Sequence, residues 1–186
     1  MISLTTIKLR PAVIHGLLAG ALLFLVKIVF FASGHWQLRF TPYYPMLSFL
    51  PIYAAMIFGG RAERQLFSKD FKYWRALKSA MLTILIIVLI SGLAEFIIYT
   101  TSDEVLQSSI EILRKQMIEG FKYIGKMYSA KQKDEMIQAI NPSSFSYLIP
   151  QMFGFFVSNG FTALLIARFT MFKADKNDWL KSENQE

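Results

Sequence analysis

The sequence predicts an all-α integral membrane protein with four transmembrane helices and an amphipathic helical loop between the third and the fourth. Three observations lead there. Hydrophobic residues make up 54% of the 186 residues and charged residues 18%, against about 25% charged in ordinary soluble domains. The mean hydropathy is positive, at +0.38. The apolar residues also gather into long runs, and a soluble core helix has no use for about 20 of them in succession. The chain is read as one membrane domain spanning 1–186. Its net charge of +7 could indicate nucleic acid, but the basic residues flank the apolar runs. They are a topology signal, and no nucleic-acid partner is expected. With no Cys, disulfides, thiolate metal sites and Cys nucleophiles are excluded.

The first span runs from Pro11 to Phe31, broken by His15 and Lys27. Pro11 suits the first helical position, where its missing N–H costs nothing. Lys8 and Arg10 ahead of it and Phe31-Ala32-Ser33-Gly34 behind it resemble a signal peptide and its cleavage site. The run is too long for a signal core, however, and a charge interrupts it, so it is read as retained. The second span, 43–60, carries Pro45 and Pro51 and is expected to kink, with Gly59-Gly60 as its stop. The third, 80–100, is the most hydrophobic, and Glu95 is its one charge. The fourth, 147–167, contains Gln151 and Asn159 and is closed by Arg168. Backbone polar groups inside lipid need internal partners, so all four are helices.

Basic residues mark one side of the membrane. Lys8 and Arg10, then Arg61, Arg64, Lys69, Lys72, Arg75 and Lys78, then Lys173, Lys176 and Lys181 all fall on segments that share a side in a four-span chain. Those segments, the cytoplasmic tail 168–186 included, are therefore expected inside a bacterial inner membrane, with both termini cytoplasmic. The 32–42 loop, whose lone Arg is Arg39, and the charge-balanced loop 101–146 are expected outside. Aromatic anchors fit this scheme: Phe71, Tyr73 and Trp74 inside, and Trp36, Tyr43, Tyr44 and Tyr99 outside.

The outer loop reads as a helix. Ser102 before Asp103-Glu104 is a start signal. Leu106, Ile110, Leu113, Met117, Phe121, Ile124 and Tyr128 then recur at steps of three and four, forming a stripe roughly 80° wide. Helix continues from Lys131 to Ile140 after a break near Ser129 and stops at Asn141-Pro142. Two readings fit the stripe: burial on the bundle ends or the membrane surface, and docking of a partner protein in a groove.

Charges inside the spans are costly, at about 2.5–3.5 kcal/mol each near the centre. Lys27 lies about 24 Å along the first span and Glu95 about 22 Å along the third, both running outward. Gln151 lies within about 6 Å of the outer end of the fourth. The three share one polar layer, in which Lys27 and Glu95 can pair. A register-fixing role and a proton-coupled or anionic-headgroup site are both open. His15 is expected to bond a neighbouring carbonyl. The spacing Gly16-x-x-x-Gly20, echoed by Gly154 and Ser158, lets helices approach closely, with Asn159 expected to bond across the contact. No phosphate-cradling loop, H-E-x-x-H or G-x-S-x-G is present, and two His make metal chemistry improbable. No enzyme activity and no cofactor are expected.

Phe71-Lys72-Tyr73-Trp74-Arg75-Ala76-Leu77-Lys78 runs straight into the third span, an amphipathic loop follows, and a Gly/Ser-containing last span ends in Arg168 and Lys173. This layout resembles the domain of unknown function 4199 family, small bacterial four-helix inner-membrane proteins, over about residues 8 to 174. The resemblance implies the fold, and it carries no activity or site residues with it. The functional expectation is a non-enzymatic accessory or scaffold subunit of the cell envelope, in contact with the lipid bilayer and an envelope protein. The alternative is a small transporter or lipid-handling protein using the Lys27/Glu95 layer. A homo-oligomer is compatible with both.

Overall fold

The computed structural model describes residues 10–41, 43–67, 72–124, 127–138 and 144–171; the side chains of residues 124, 144–147 and 171 fall outside that description. Lys8, Lys69, Asp70, Phe71, Asn141, Pro142 and the tail from 172 also lie outside it. Among the described residues the structure is all-helical: α1 (Pro11–Ala32), a 3₁₀ turn (Trp36–Phe40), α2 (Tyr43–Leu66), α3 (Tyr73–Thr101), α4 (Asp103–Ile124), α5 (Ala130–Gln138) and α6 (Ser144–Met171). Three stretches are long and apolar enough to cross a membrane: α1, α3 and Leu148–Thr170 of α6. In α2, Tyr43, Tyr44, Tyr53, Pro45 and Pro51 dilute the apolar run.

Local chemistry explains most boundaries. Pro11 opens α1 and holds Arg10 extended, as a residue before proline prefers. At the other end Gly34 takes φ +73°, its N–H donates to Phe31 O at 3.0 Å and His35 N–H donates to Phe30 O at 2.9 Å. That pair of bonds satisfies the last carbonyls of α1, and glycine adopts the left-handed conformation without cost. The turn sends the chain back over the helix ends, which brings 36–40 onto them. Ser102 caps α4 through its Oγ, which accepts from Val105 N–H at 3.4 Å. Ser129 and Gln132 cap α5 reciprocally, at 3.2 and 2.9 Å.

Several boundaries differ from the sequence reading. Gly59-Gly60 does not end the second helix, which continues to Leu66. These glycines serve packing: a Cβ on Gly60 would stand 2.9 Å from Thr170, and one on Gly59 would stand 3.4 Å from Ala12. The third helix begins at Tyr73, so the Arg75-Ala76-Leu77-Lys78 lead-in is helical. The last helix also exceeds its apolar stretch at both ends. Hydrogen bonding continues a helix after hydrophobicity stops.

α2 and α3 each pack on both α1 and α6. The core between them contains Ile52, Met56, Ile84, Ile87, Ala163 and Ile166. Gly16 and Gly20 do set a close approach, of α1 to α3: added Cβ atoms would meet Thr83 O at 3.1 Å and Ile90 at 3.0 Å. Thr83 Oγ1 donates to Ala12 O across the same contact, at 3.2 Å. A Cβ added to Gly154 would meet nothing within 4 Å and Ser158 is exposed, so the small-residue spacing of α6 marks no contact. Asn159 is buried, but its Nδ2 donates to Phe155 O of its own helix at 2.8 Å, not across a contact. Outside the core, large apolar side chains face outward along the long helices, among them Leu18, Leu50, Leu89, Leu165 and Phe169.

Candidate functional site

A second buried cluster sits at the end of the helices that carries residues 32–42, and Lys27, Arg39 and Glu95 converge beside it. Lys27 on α1 and Glu95 on α3 are both buried. Lys27 Nζ forms an ion pair with Glu95 Oε1 and donates to Ser91 Oγ, and it reaches Ser91 O at 3.1 Å. Arg39, from the 3₁₀ turn, binds the other carboxylate oxygen: its Nη2 lies 2.9 Å from Glu95 Oε2. The same guanidinium donates to Gln151 Oε1 on α6 at 3.1 Å and to the Tyr99 hydroxyl. Lys27, Glu95 and Gln151 therefore meet, and the residue that joins the glutamine to the pair is Arg39.

The geometry follows from helix periodicity. Ser91, Glu95 and Tyr99 stand at i, i+4 and i+8 on α3 and so line one face. Arg39 lies over the Trp36 and Phe40 rings, 4.8 and 5.1 Å from their centroids, which holds the guanidinium in place. Trp36 and Tyr99 meet edge to face at 5.8 Å. Both are buried, so neither is the interface anchor the sequence suggested; they wall the charge cluster instead. Exposed Tyr43 and Trp74 keep an anchor-like setting.

α4 covers this end. Trp36 Nε1 donates to Ser109 Oγ at 3.0 Å. Leu106 and Ile110 are buried with Ile98, Tyr99 and Leu148, and Leu113 packs against the same cluster half-buried. Farther along the stripe, Met117, Phe121 and Tyr128 are half-buried, with the Phe121 and Tyr128 rings 6.1 Å apart. The Ile124 side chain is outside the described residues.

Beside the ion cluster lies a cavity of about 100 Å³ whose polar lining includes Lys27, Arg39, Tyr44, Ser48, Glu95 and Gln151. It has room for a few waters or a small polar ligand. Gly92 leaves space for Met152 in its wall: a Cβ there would stand 2.6 Å from the Met152 sulfur. Two cations share one carboxylate, so the lining favours negative charge. It offers fixed charge and hydrogen-bond donors. Elsewhere His15 Nδ1 bonds Pro11 O at 2.8 Å, within its own helix. Among the described residues no group of three or more His, Cys, Asp or Glu is arranged to hold a metal.

Sequence reasoning missed Arg39, Ser91, Tyr99 and Tyr44 as members of this site. A signal existed for Arg39, as the lone Arg or Lys of 32–42 on the side that should be poor in them. No curated protein and no solved structure matches the chain. The model of one family, described as "Protein of unknown function (DUF4199)", matches residues 13–172. That match covers most of the 186 residues, and the chain belongs to the DUF4199 family.

Proposed function

We propose that this chain is a four-span inner-membrane protein with both termini cytoplasmic, acting as a non-enzymatic accessory or scaffold subunit of the cell envelope. α1, α2, α3 and α6 form the four-helix bundle, and α4 with α5 lies outside. α2 is taken as a span because it packs between α1 and α6, both apolar on the outside. The observation that carries the functional reading is the source of the partners in the charge cluster. Lys27 and both Glu95 oxygens are engaged by side chains and backbone of this chain itself. A cluster satisfied in this way fixes register, joining α1, α3, α6 and the 3₁₀ turn. The proximal half of the α4 stripe is used in covering that cluster. The distal half from Met117 remains for an envelope partner or the membrane surface.

A second reading rests on the cavity with its excess of cations: a small transporter or lipid-handling protein that takes an anionic group there. Complementation of a deletion strain separates the two. The triple variant Lys27→Met, Arg39→Gln, Glu95→Gln leaves no ionised group in the cluster and should fold. The accessory reading expects it to complement. A folded, membrane-inserted triple variant that fails to complement would favour the transport reading.

A further inference from the structure

The opposite end of the helices holds a larger pocket, of about 510 Å³, lined by residues of α2, α3 and their flanks and by Arg10 at the start of α1. Its rim is basic: Arg10, Lys72, Arg75 and Lys78 line it and are exposed. Arg75 is held over the Phe67 ring at 4.4 Å, so one guanidinium is already ordered. Its floor is different. Glu63 of α2 and Ser79 of α3 also line the pocket, and each is 3% exposed. Among the described residues Glu63 Oε1 and Ser79 Oγ have no hydrogen-bond partner. Among the described residues no ion pair within 4.0 Å joins Glu63 to the rim cations.

A buried carboxylate oxygen without a donor is costly and selects a ligand that supplies one. Four cations above it select negative charge. The complementary ligand therefore carries an anionic group and, a few ångströms away, a cationic N–H donor. Trp74, exposed on the rim, has the character of a residue at the boundary between headgroups and hydrocarbon. We propose that this pocket binds the headgroup of an aminophospholipid, with the phosphate on the Arg75 and Lys78 rim and the ammonium on Glu63. The proposal rests on the membrane reading above. It adds a lipid partner, at the cytoplasmic end, distinct from the Lys27 cluster.

Phosphatidylcholine is the discriminating control, because it keeps the phosphate and the positive charge but has no N–H to donate. The full chain is extracted in mild detergent with equal phosphatidylethanolamine and phosphatidylcholine, and the retained lipid is counted by native mass spectrometry. The wild type should retain phosphatidylethanolamine with about tenfold preference, the worth of one charge-assisted hydrogen bond. Glu63→Met, which removes the acceptor and keeps the volume, should bring the two lipids to parity. Arg75→Gln with Lys78→Gln should weaken retention of both. Equal retention by the wild type, which needs no variant to fold, would overturn the proposal. So would higher retention of phosphatidylglycerol, or displacement of the lipid by soluble phosphoethanolamine at equal concentration. Alkaline carbonate extraction of the same membranes keeps the two ideas apart. A chain released by carbonate would overturn the membrane reading and the proposal with it. A chain that stays in the membrane yet shows no lipid preference would overturn the proposal alone.

Discussion

Glu95 and Lys27 are unequal partners. Glu95 faces two cations, one on each oxygen, whereas Lys27 has Ser91 as well as the carboxylate. Removing Lys27 leaves Glu95 paired with Arg39. Removing Glu95 leaves two cations side by side in low dielectric, and breaking a buried pair in that way typically costs about 3–5 kcal/mol. Glu95→Gln should therefore destabilise by that amount and Lys27→Met by clearly less, and adding Lys27→Met to Glu95→Gln should recover part of the loss. Thermal unfolding in detergent reads all three, and equal losses for the two single variants would contradict the arrangement. At this scale the polar layer was legible: depth along each span placed Lys27, Glu95 and Gln151 together. Arg39 stood out by its charge alone, but its place in the cluster was not legible, because it lies outside every apolar run and reaches the cluster only through the turn at Gly34. Nothing in hydropathy encodes that reversal.

Helix contacts are where residue type alone misleads. Gly16 and Gly20 read as a close approach, and they are one, but the sequence did not identify α3 as the partner. Gly154 and Ser158 show the same spacing without a contact. Such a pattern is permissive: small residues allow approach, and the side chains opposite decide whether it happens. Two substitutions separate the cases. Gly20→Val puts carbon about 3.0 Å from Ile90, and forcing α1 off α3 should cost about 1–3 kcal/mol. Gly154→Ala meets nothing and should be neutral or stabilising by up to about 1 kcal/mol, from helix propensity. The order of their unfolding temperatures checks this, and a reversed order would refute it. Trp36→Phe tests how α4 is attached. It removes the bond to Ser109 and should cost about 1 kcal/mol. Limited proteolysis should then cut α4 sooner, and unchanged cleavage would show that the apolar contacts of Leu106 and Ile110 suffice. The stripe was read correctly as helical from Leu106 to Ile124, whereas Tyr128 lies beyond the end of α4. Its division into a buried proximal half and a half-buried distal half depends on where the 3₁₀ turn lands, which periodicity does not report.

At the scale of the whole molecule, α1, α2, α3 and α6 are apolar inside and largely apolar outside. Isoleucines and alanines fill the centre, while leucines and phenylalanines stand exposed on the faces of α1, α2, α3 and α6. A soluble monomer rarely leaves a contiguous apolar surface beyond a few hundred Å², and exposed apolar faces of this kind are what the proposed membrane reading expects. The helices α1, α3 and α6 were legible because about 20 apolar residues in a row have few other uses. Of α1, α2, α3 and α6, α2 has the least apolar composition, since its prolines and tyrosines thin the apolar run. The four-span topology turns on it. The chain has no Cys, so single cysteines give an unambiguous signal with a membrane-impermeant maleimide. Gln37 and Ser129 are exposed and follow α1 and α4, and Gln65 is exposed in the last turn of α2. The four-span account predicts that Gln37→Cys and Ser129→Cys label from outside in intact cells, and Gln65→Cys only after lysis. Labelling of Gln37→Cys and Gln65→Cys from the same side would show that α2 does not cross, and would contradict the account.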